Sequence, residues 1–520
     1  MTNILFVLPI NLYKTLNLDK ITKIYIIEHF VYFTNYKYHK QKLILHRATM
    51  KYYKTYLKTK TNLPIKYVNF YDYDNLFKSF SKNTRITFYD PVDHDTMNDI
   101  IRQCKTHNFE YNILDTKTFI TPLNILKEYS DTHDKLIQYN FYKFQRQRLG
   151  IMMDKNKPIG NKWSFDKENR LPFPDNLESK IKDTPKEVKN KYITEAKAYT
   201  NKYFKNNPGS DFTWTVIDHK SANVLLNNFI KYKLLNFGPY QDAVGKNIFS
   251  GYHSVLSPLI NVGLLEPAYI IKKIINNLDT KNKKLLISTE AYIRQLIGWR
   301  EYCRLIYMFR HKETSANGSS TVLGNLEGNY FNNNSKLSKS WYTGKNEHEE
   351  NLLTYTGFEH IDKLINKTWN YSYLHHIERL MFIGNFMLLA NIKPNEAYKW
   401  FQTMFLDSYA VFMYPNVYGM SQYSNGPIMM TKPYFSSFNY IIKMSDFPKN
   451  NKMTLPELQN YNWTDIWSAL YYSFINSNKN KLSKIYGTAS QVAHWNNKSN
   501  KEKNILLNQS KKYKKILMNY

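Results

Sequence analysis

Residues 371–390 read Tyr371-Ser-Tyr-Leu-His-His-Ile-Glu-Arg-Leu-Met-Phe-Ile-Gly-Asn-Phe-Met-Leu-Leu-Ala390. Apolar residues recur at helical spacing, which predicts one amphipathic helix over the whole stretch. On such a helix His375 and His376 share a face with Arg379. A fixed cation there disfavours the charged form of either imidazole unless an anion joins the group. Two histidines and an arginine at the mouth of an otherwise apolar helix point to a pocket, and a solvated surface pair is the plainer alternative. Metal binding is disfavoured, because adjacent helical residues point about 100° apart and cannot hold one ion unaided. Asn385, a lone amide among Met, Phe and Leu, needs a hydrogen-bond partner if buried. Gly384 beside it leaves room for something flat.

Outward from this segment, Asp407 is placed to pair with Arg379 across helices. Asn416 lies in a turn flanked by Pro and Gly, where polar groups are held rigidly. Upstream, His253, Ser254 and Ser257 cluster before Pro258. Hydroxyls and free amides at a helix start suit a phosphate, although Ser-Pro turns are also ordinary caps. Trp299 and Arg300 set an indole beside a guanidinium, which fits stacking, a phosphate clamp or a cation–π contact in the core.

Residues 1–135 alternate short apolar runs with helical patterns. Strands are expected at 4–8, 23–27, 65–69, 85–89 and 110–113, with a helix over 38–58. That alternation predicts βαβ units and a Rossmann-like parallel sheet, an α/β domain. Prolines and polar sequence make 136–210 an expected inter-domain linker. From residue 211 amphipathic segments follow one another at 222–232, 267–278, 288–310, 358–364, 394–404 and 463–476, so 211–476 reads as an all-α domain. The Gly-, Asn- and Ser-rich stretch 315–339 is an expected exposed loop. Residues 477–520 hold ten lysines and one acid. They read as a DNA-facing basic tail or a frayed end.

The formal charge is +30, from 72 Lys+Arg against 42 Asp+Glu, which favours a polyanionic partner. A lysine-rich solvated surface is the competing explanation. Two cysteines, Cys104 and Cys303, exclude a disulfide framework and suit a reducing compartment. No apolar run reaches the roughly 20 residues of a membrane span. A soluble, intracellular monomer that does not meet membranes is therefore expected. Neither a P-loop nor a Gly-x-Gly-x-x-Gly turn is present, which argues against ordinary nucleotide hydrolases and dinucleotide oxidoreductases.

Gly298-Trp-Arg-Glu-Tyr302, Trp341-Tyr-Thr-Gly-Lys345, the His375-His376 stretch, Pro415-Asn-Val-Tyr-Gly-Met-Ser-Gln422, Thr431-Lys-Pro-Tyr434 and Lys443-Met-Ser-Asp446 occur in that order. With residues 39–47 and 158–170, this series resembles the prokaryotic photolyase-related family of iron–sulfur bacterial cryptochromes and (6-4) photolyases. The resemblance runs from the first strand to about residue 476. It implies a U-shaped FAD in the helical domain. His253, Ser254 and Ser257 would lie near its phosphates, and Trp299 and Arg300 along it. Arg379, Asn385, Asp407 and Asn416 would surround its isoalloxazine and adenine. His375 and His376 would be catalytic at the lesion, with electrons arriving through Trp400 and the Trp341–Tyr342 pair. The implied activity is light-driven repair of UV-damaged DNA, by electron transfer to a flipped-out pyrimidine lesion, a (6-4) photoproduct first. The alternatives are a blue-light sensor that binds FAD without repair, and a basic nucleic-acid-binding module that has lost its cofactor.

Two departures narrow the resemblance. The family's [4Fe–4S] cluster needs four thiolates, one before the His-His stretch and three after Met-Ser-Asp. Residues 354–365 and 445–476 contain no cysteine, so no iron–sulfur cluster is expected and no metal. Residues 447–467 must then be held by packing of Trp463 and Trp467. The turn Leu8-Pro9-Ile10-Asn11-Leu12 replaces the family's Gly-Asp-Gln-Leu, which weakens the case for a lumazine antenna.

Overall fold

Apolar runs too short for buried helices become the strands of one sheet. A computed structural model describes residues 2–177, 181, 183–310, 326–344 and 355–518. In it β1 (Thr2–Val7), β2 (Lys23–Ile27), β3 (Ile65–Val68), β4 (Thr84–Tyr89) and β5 (Glu110–Leu114) form a parallel sheet in the order β3-β2-β1-β4-β5. The central strand is buried from Ile4 to Val7 on both faces, as its unbroken apolar run requires. Helices Lys40–Lys58 and His94–Thr106 serve as crossovers. The strands fall within two residues of their expected bounds. Most of the remaining described chain is helical, which gives the α/β plus all-α architecture that the periodicities predict. Residues 315–325 of the expected exposed loop lie outside the described residues, and 326–338 are irregular apart from a bridge from Ser335 to Ile392, with Leu326, Phe331 and Leu337 buried rather than exposed.

The stretch 136–210 is more structured than its prolines suggest. It carries the helices Gln138–Leu149 and Lys191–Tyr203. Ile193 and Ala196 of the second pack on Ile44 and Ala48 of the first crossover helix. Beside them lies a buried ionic cluster. Arg47 donates to Glu28 at 2.7 Å and to Glu195 through Nε at 3.0 Å. Glu28, fully buried, also accepts from Tyr67 at 2.6 Å, Tyr199 at 2.8 Å and the Phe70 amide at 3.1 Å. Proline marked the turns correctly, but the stretch between Pro185 and Pro208 is long enough to fold a helix with an apolar face.

The tail is folded too, which removes the frayed end as a reading. Helices Ala489–Asn496 and Asn500–Leu517 return to the body. Tyr513 is fully buried and donates to the Thr356 carbonyl at 2.9 Å. Ser499 and Glu502 form a capping box at the start of the last helix. Trp495 and Tyr513 anchor these helices, while Lys501, Lys511, Lys512 and Lys515 stay exposed.

The N-terminus of the first crossover helix is driven into the helical half. The His39 ring donates to the Trp369 carbonyl at 2.9 Å, and its amide donates to the Thr403 carbonyl at 2.9 Å. Lys42 is buried, donates to the Ser408 carbonyl, and lies 4.5 Å and 4.6 Å from the ring centres of Tyr38 and Tyr409. Burial pushes its ammonium down to about 7. The His46 ring meets the Tyr409 hydroxyl at 2.8 Å.

Glu28→Ala leaves Arg47 with Glu195 as its remaining carboxylate and strands two phenols and the Phe70 amide in the interior. We expect a loss of about 3–5 kcal/mol of unfolding free energy, read as a lower urea midpoint with unchanged slope.

Candidate functional site

The segment 371–390 does not form one helix. Glu359–Tyr371 ends at Ser372, whose φ is +53° and whose hydroxyl donates to the Met404 carbonyl at 2.8 Å. Helix resumes at His376, widens into a π-helical stretch over Glu378–Gly384, and finishes as Asn385–Leu389. Glu378 caps the restart by accepting from the His375 amide at 2.8 Å. Lys367 pairs with Glu378 at 2.6 Å and donates to the Phe249 carbonyl at 2.7 Å, binding the loop that carries His253 to this turn.

The break separates the two histidines. The His375 ring stacks on His253, with centroids 4.5 Å apart and 14° between planes. His253 donates to the Gln241 carbonyl at 3.0 Å, and the Nδ1 of His375 is buried without a partner. Burial first, and each other's neighbourhood second, hold both imidazoles well below their ordinary range: His253 senses His375, and His375 senses Lys367, His376 and Arg379. Both are neutral at physiological pH. His376 behaves differently. Its side chain is exposed to solvent. Desolvation and then Arg379 push it down, and the water that reaches its ring weakens the first effect. Trp299 lies 6.4 Å from it, centroid to centroid, and donates to the Asn416 side chain at 3.1 Å.

Arg379 and Asp407 meet at 2.9 Å. Arg379 also donates to the Leu374 carbonyl at 2.7 Å and covers the Phe405 ring at 4.2 Å. Ser257 donates to Asp407 at 2.6 Å, and Asn261 donates to the Asp407 carbonyl at 3.1 Å. Asn261 accepts from Arg300 at 2.8 Å, and Arg300 donates to the Thr118 carbonyl at 3.0 Å. A polar chain thus runs from the pocket to the end of the sheet layer. Three of the site's side chains, Trp299, Arg379 and Asn416, stand on π-helical stretches (Arg294–Arg300, Glu378–Gly384 and Tyr414–Ser421). Wide turns of this kind displace side chains from the regular α pattern and concentrate at functional sites.

Trp400 donates to the Trp341 carbonyl at 3.0 Å, and their rings cross at 5.5 Å. Trp400 also touches Phe405 at 5.3 Å, and Phe405 lies against Arg379. Tyr342 follows Trp341 and is partly buried, which raises its phenol above the ordinary range.

Other expected residues sit differently. The Asn385 amide is engaged by Ser436, donating to its hydroxyl at 2.8 Å and accepting from its amide at 3.1 Å. Gly384 admits a side chain, not a flat group: a Cβ there would lie 2.2 Å from the Ser421 hydroxyl. Arg300 turns to Thr118 and to the Phe119 and Phe412 rings, at 4.7 Å and 4.6 Å. Ser254 accepts from Tyr292 at 3.0 Å. Between Ser254 and Ser257, Val255 adopts φ +56°, a strained value for a β-branched residue and a recurrent feature of ligand loops. Glu378 and Lys367 escape a reading of the sequence, where the one cue is Glu three residues after His375, a capping spacing.

The region where the resemblance places a cluster holds no ligand set. Cys104 and Cys303 are both buried on separate helices, and Cys303 accepts from Asn416 at 3.4 Å. Among the described residues no group of His, Cys, Asp or Glu could hold a metal. His360 occupies an aromatic box instead, 4.6 Å from Trp463 and 5.3 Å from Trp467, with Phe358 at 5.6 Å and Phe447 at 5.7 Å. Trp463 donates to the Pro448 carbonyl at 2.9 Å and Trp467 to the Ser436 carbonyl at 3.1 Å.

A five-stranded parallel layer docked on a helical body is the architecture of photolyases and cryptochromes. Two solved structures share it. A class III photolyase from Agrobacterium tumefaciens superposes with a TM-score of 0.52 at 15% identity, over 85% of this chain and 83% of its own. A Synechocystis cryptochrome gives 0.56 at 12% identity, over 99% of both chains. The deoxyribodipyrimidine photo-lyase-related protein profile matches residues 6–214. A (6-4) photolyase of Agrobacterium fabrum is 32% identical over 389 residues, 74% of this chain and 71% of the relative. The chain belongs to the deoxyribodipyrimidine photolyase-related family.

Burial without a partner for Nε2 holds His360 down to about 3 from 6.5. The unfolded chain takes up a proton below 6.5 that the folded chain refuses, so stability is lost as pH falls from 6.5 towards 3. His360→Phe removes this term. Urea unfolding at pH 7 and pH 5 should show the variant losing about 2 kcal/mol less than the parent across that interval, with neutral-pH stability retained.

Proposed function

We propose that this protein is a light-driven DNA repair enzyme of the (6-4) photolyase type, using FAD in the helical domain. One observation carries the reading: a buried, neutral His375–His253 stack stands beside an accessible His376, with Arg379–Asp407 behind them. The site fits such a cofactor. It offers the unpartnered His375 Nδ1, an Asp407 already fixed by two partners, and an indole held edge-on by Asn416. FAD, when bound, supplies the light-excited electron. The chain's own residues do the rest.

His376 is exposed and is the group that delivers and recovers a proton at the lesion's transferred oxygen. His375 stays neutral and donates or accepts a hydrogen bond through Nδ1. Lys367 and Glu378 hold its backbone, so its ring orientation is set before a substrate arrives. Ser254, beside the strained Val255, accepts from Tyr292 and so keeps its own O–H for a phosphate oxygen, whereas the Ser257 hydroxyl is committed to Asp407. Trp341, Trp400 and Phe405 form a continuous aromatic path to Arg379, with Tyr342 at its outer end. The net charge of +30 draws in the DNA, and a lesion whose stacking is already broken flips out at low cost.

Purified protein with its flavin reduced, given a (6-4)-containing oligonucleotide and blue light, should restore the two thymines. His376→Ala should abolish repair and leave the flavin absorption band intact. Flavin retention with no repair by the parent protein would favour a light sensor, and a colourless preparation would defeat both flavin readings. Trp400→Phe should slow photoreduction while sparing repair by chemically reduced enzyme.

A further inference from the structure

Helices Asn385–Leu389, Trp463–Leu482 and Asn500–Leu517 contribute to a recess of about 460 Å3. It lies at the far end of the helical run that begins at His376, remote along that axis from the site described above. Its floor is apolar, built from Phe331, Leu388 and Phe474. Its rim is cationic: Lys479, Lys481 and Lys514 line it and no carboxylate does. Asn391 and Asn476 also line it.

The three lysines are not equivalent. Lys481 donates to the Tyr330 carbonyl, with its ammonium 4.9 Å from that ring's centre. Lys479 is exposed. Lys514 is largely covered, no described carboxylate pairs with it, and burial alone pushes its ammonium down to about 8. Withdrawing a cation from water without a counter-charge is costly, and a bound anion removes that cost. The volume falls within the roughly 300–1,000 Å3 of small-ligand sites. Cations and amides over an aromatic floor match a phosphate joined to a flat ring.

We propose that this recess binds a nucleotide, with its base against Phe331 and Phe474 and its phosphate at Lys514 and Lys479. The proposal does not depend on the repair reading. The nucleotide has two sources, a free mononucleotide or one unit of a DNA strand, and the phosphate chemistry is common to both.

The test uses the full chain. Equilibrium dialysis measures dAMP binding, and fluorescence anisotropy measures an undamaged labelled single-stranded oligonucleotide across a salt series. For a free nucleotide, dAMP should bind one per chain and Lys514→Met should weaken it about tenfold, the loss of one charge-assisted contact, while Lys514→Arg retains it. For a DNA source, dAMP binds negligibly, but Lys514→Met weakens the oligonucleotide and lowers its logarithmic salt slope by about one. Lys479→Ala, at an exposed position, should act in the same direction and serves if Lys514→Met fails to fold. If folded variants bind both probes as the parent does, or if the parent binds neither, the proposal is wrong.

Discussion

The ion pair between Arg379 and Asp407 is the constraint on which the rest of the site depends. Each partner is held by a different part of the chain. Arg379 stands on a widened helical turn and is fixed by the Leu374 carbonyl and the Phe405 face. Asp407 is fixed by Ser257 through its side chain and by Asn261 through its backbone. The next residue, Ser408, accepts from the buried Lys42 of the α/β half. Three residues, 407–409, thereby join both halves of the molecule to one guanidinium. Removing either charge leaves the other partly buried and unpaired, which costs far more than a surface pair is worth.

The distribution of protons around this pair follows from geometry. Burial is the main force that holds His253 and His375 neutral, reinforced at His253 by the His375 ring and at His375 by Lys367, His376 and Arg379. The stacked pair is also too close for both rings to carry charge. Glu378 lies 3.7 Å from the His375 ring, but Lys367 already occupies it. His376 is the exposed one of the three, which is why the proposed repair reaction assigns the proton exchange to it.

The region where the resemblance would place a cluster is closely packed. His360, Trp463, Trp467, Phe358 and Phe447 fill the region with edge-to-face contacts, and the two indole N–H groups find backbone carbonyls. Aromatic rings supply area and directional contacts together, which a cluster would otherwise provide through its thiolate bonds. The returning tail adds Tyr513 to the same core, so the basic C-terminal helices are structural as well as cationic.

The amino-acid sequence by itself determined the sheet, the helical second half and most of the membership of the site. Strand runs such as 4–8 are apolar throughout, and Pro394 opens the helix Pro394–Met404 where its lost donor costs nothing. The order of motifs around residues 298, 375, 415 and 443 carried the family. What only the tertiary structure decided is which side chains face one another. The break at Ser372 depends on a hydrogen bond to Met404, 32 residues away, and no local pattern encodes it. It leaves the His375 ring stacked on His253. The π-helical turns shift Trp299, Arg379 and Asn416 out of the register that a 3.6-residue period predicts. Asn385 and Arg300 were legible as polar groups needing partners, and those partners, Ser436 and Thr118, come from distant segments. Periodicity reports which face of an element is apolar. The partner of a buried polar group is set by long-range packing, and so it became visible only once the chain was folded.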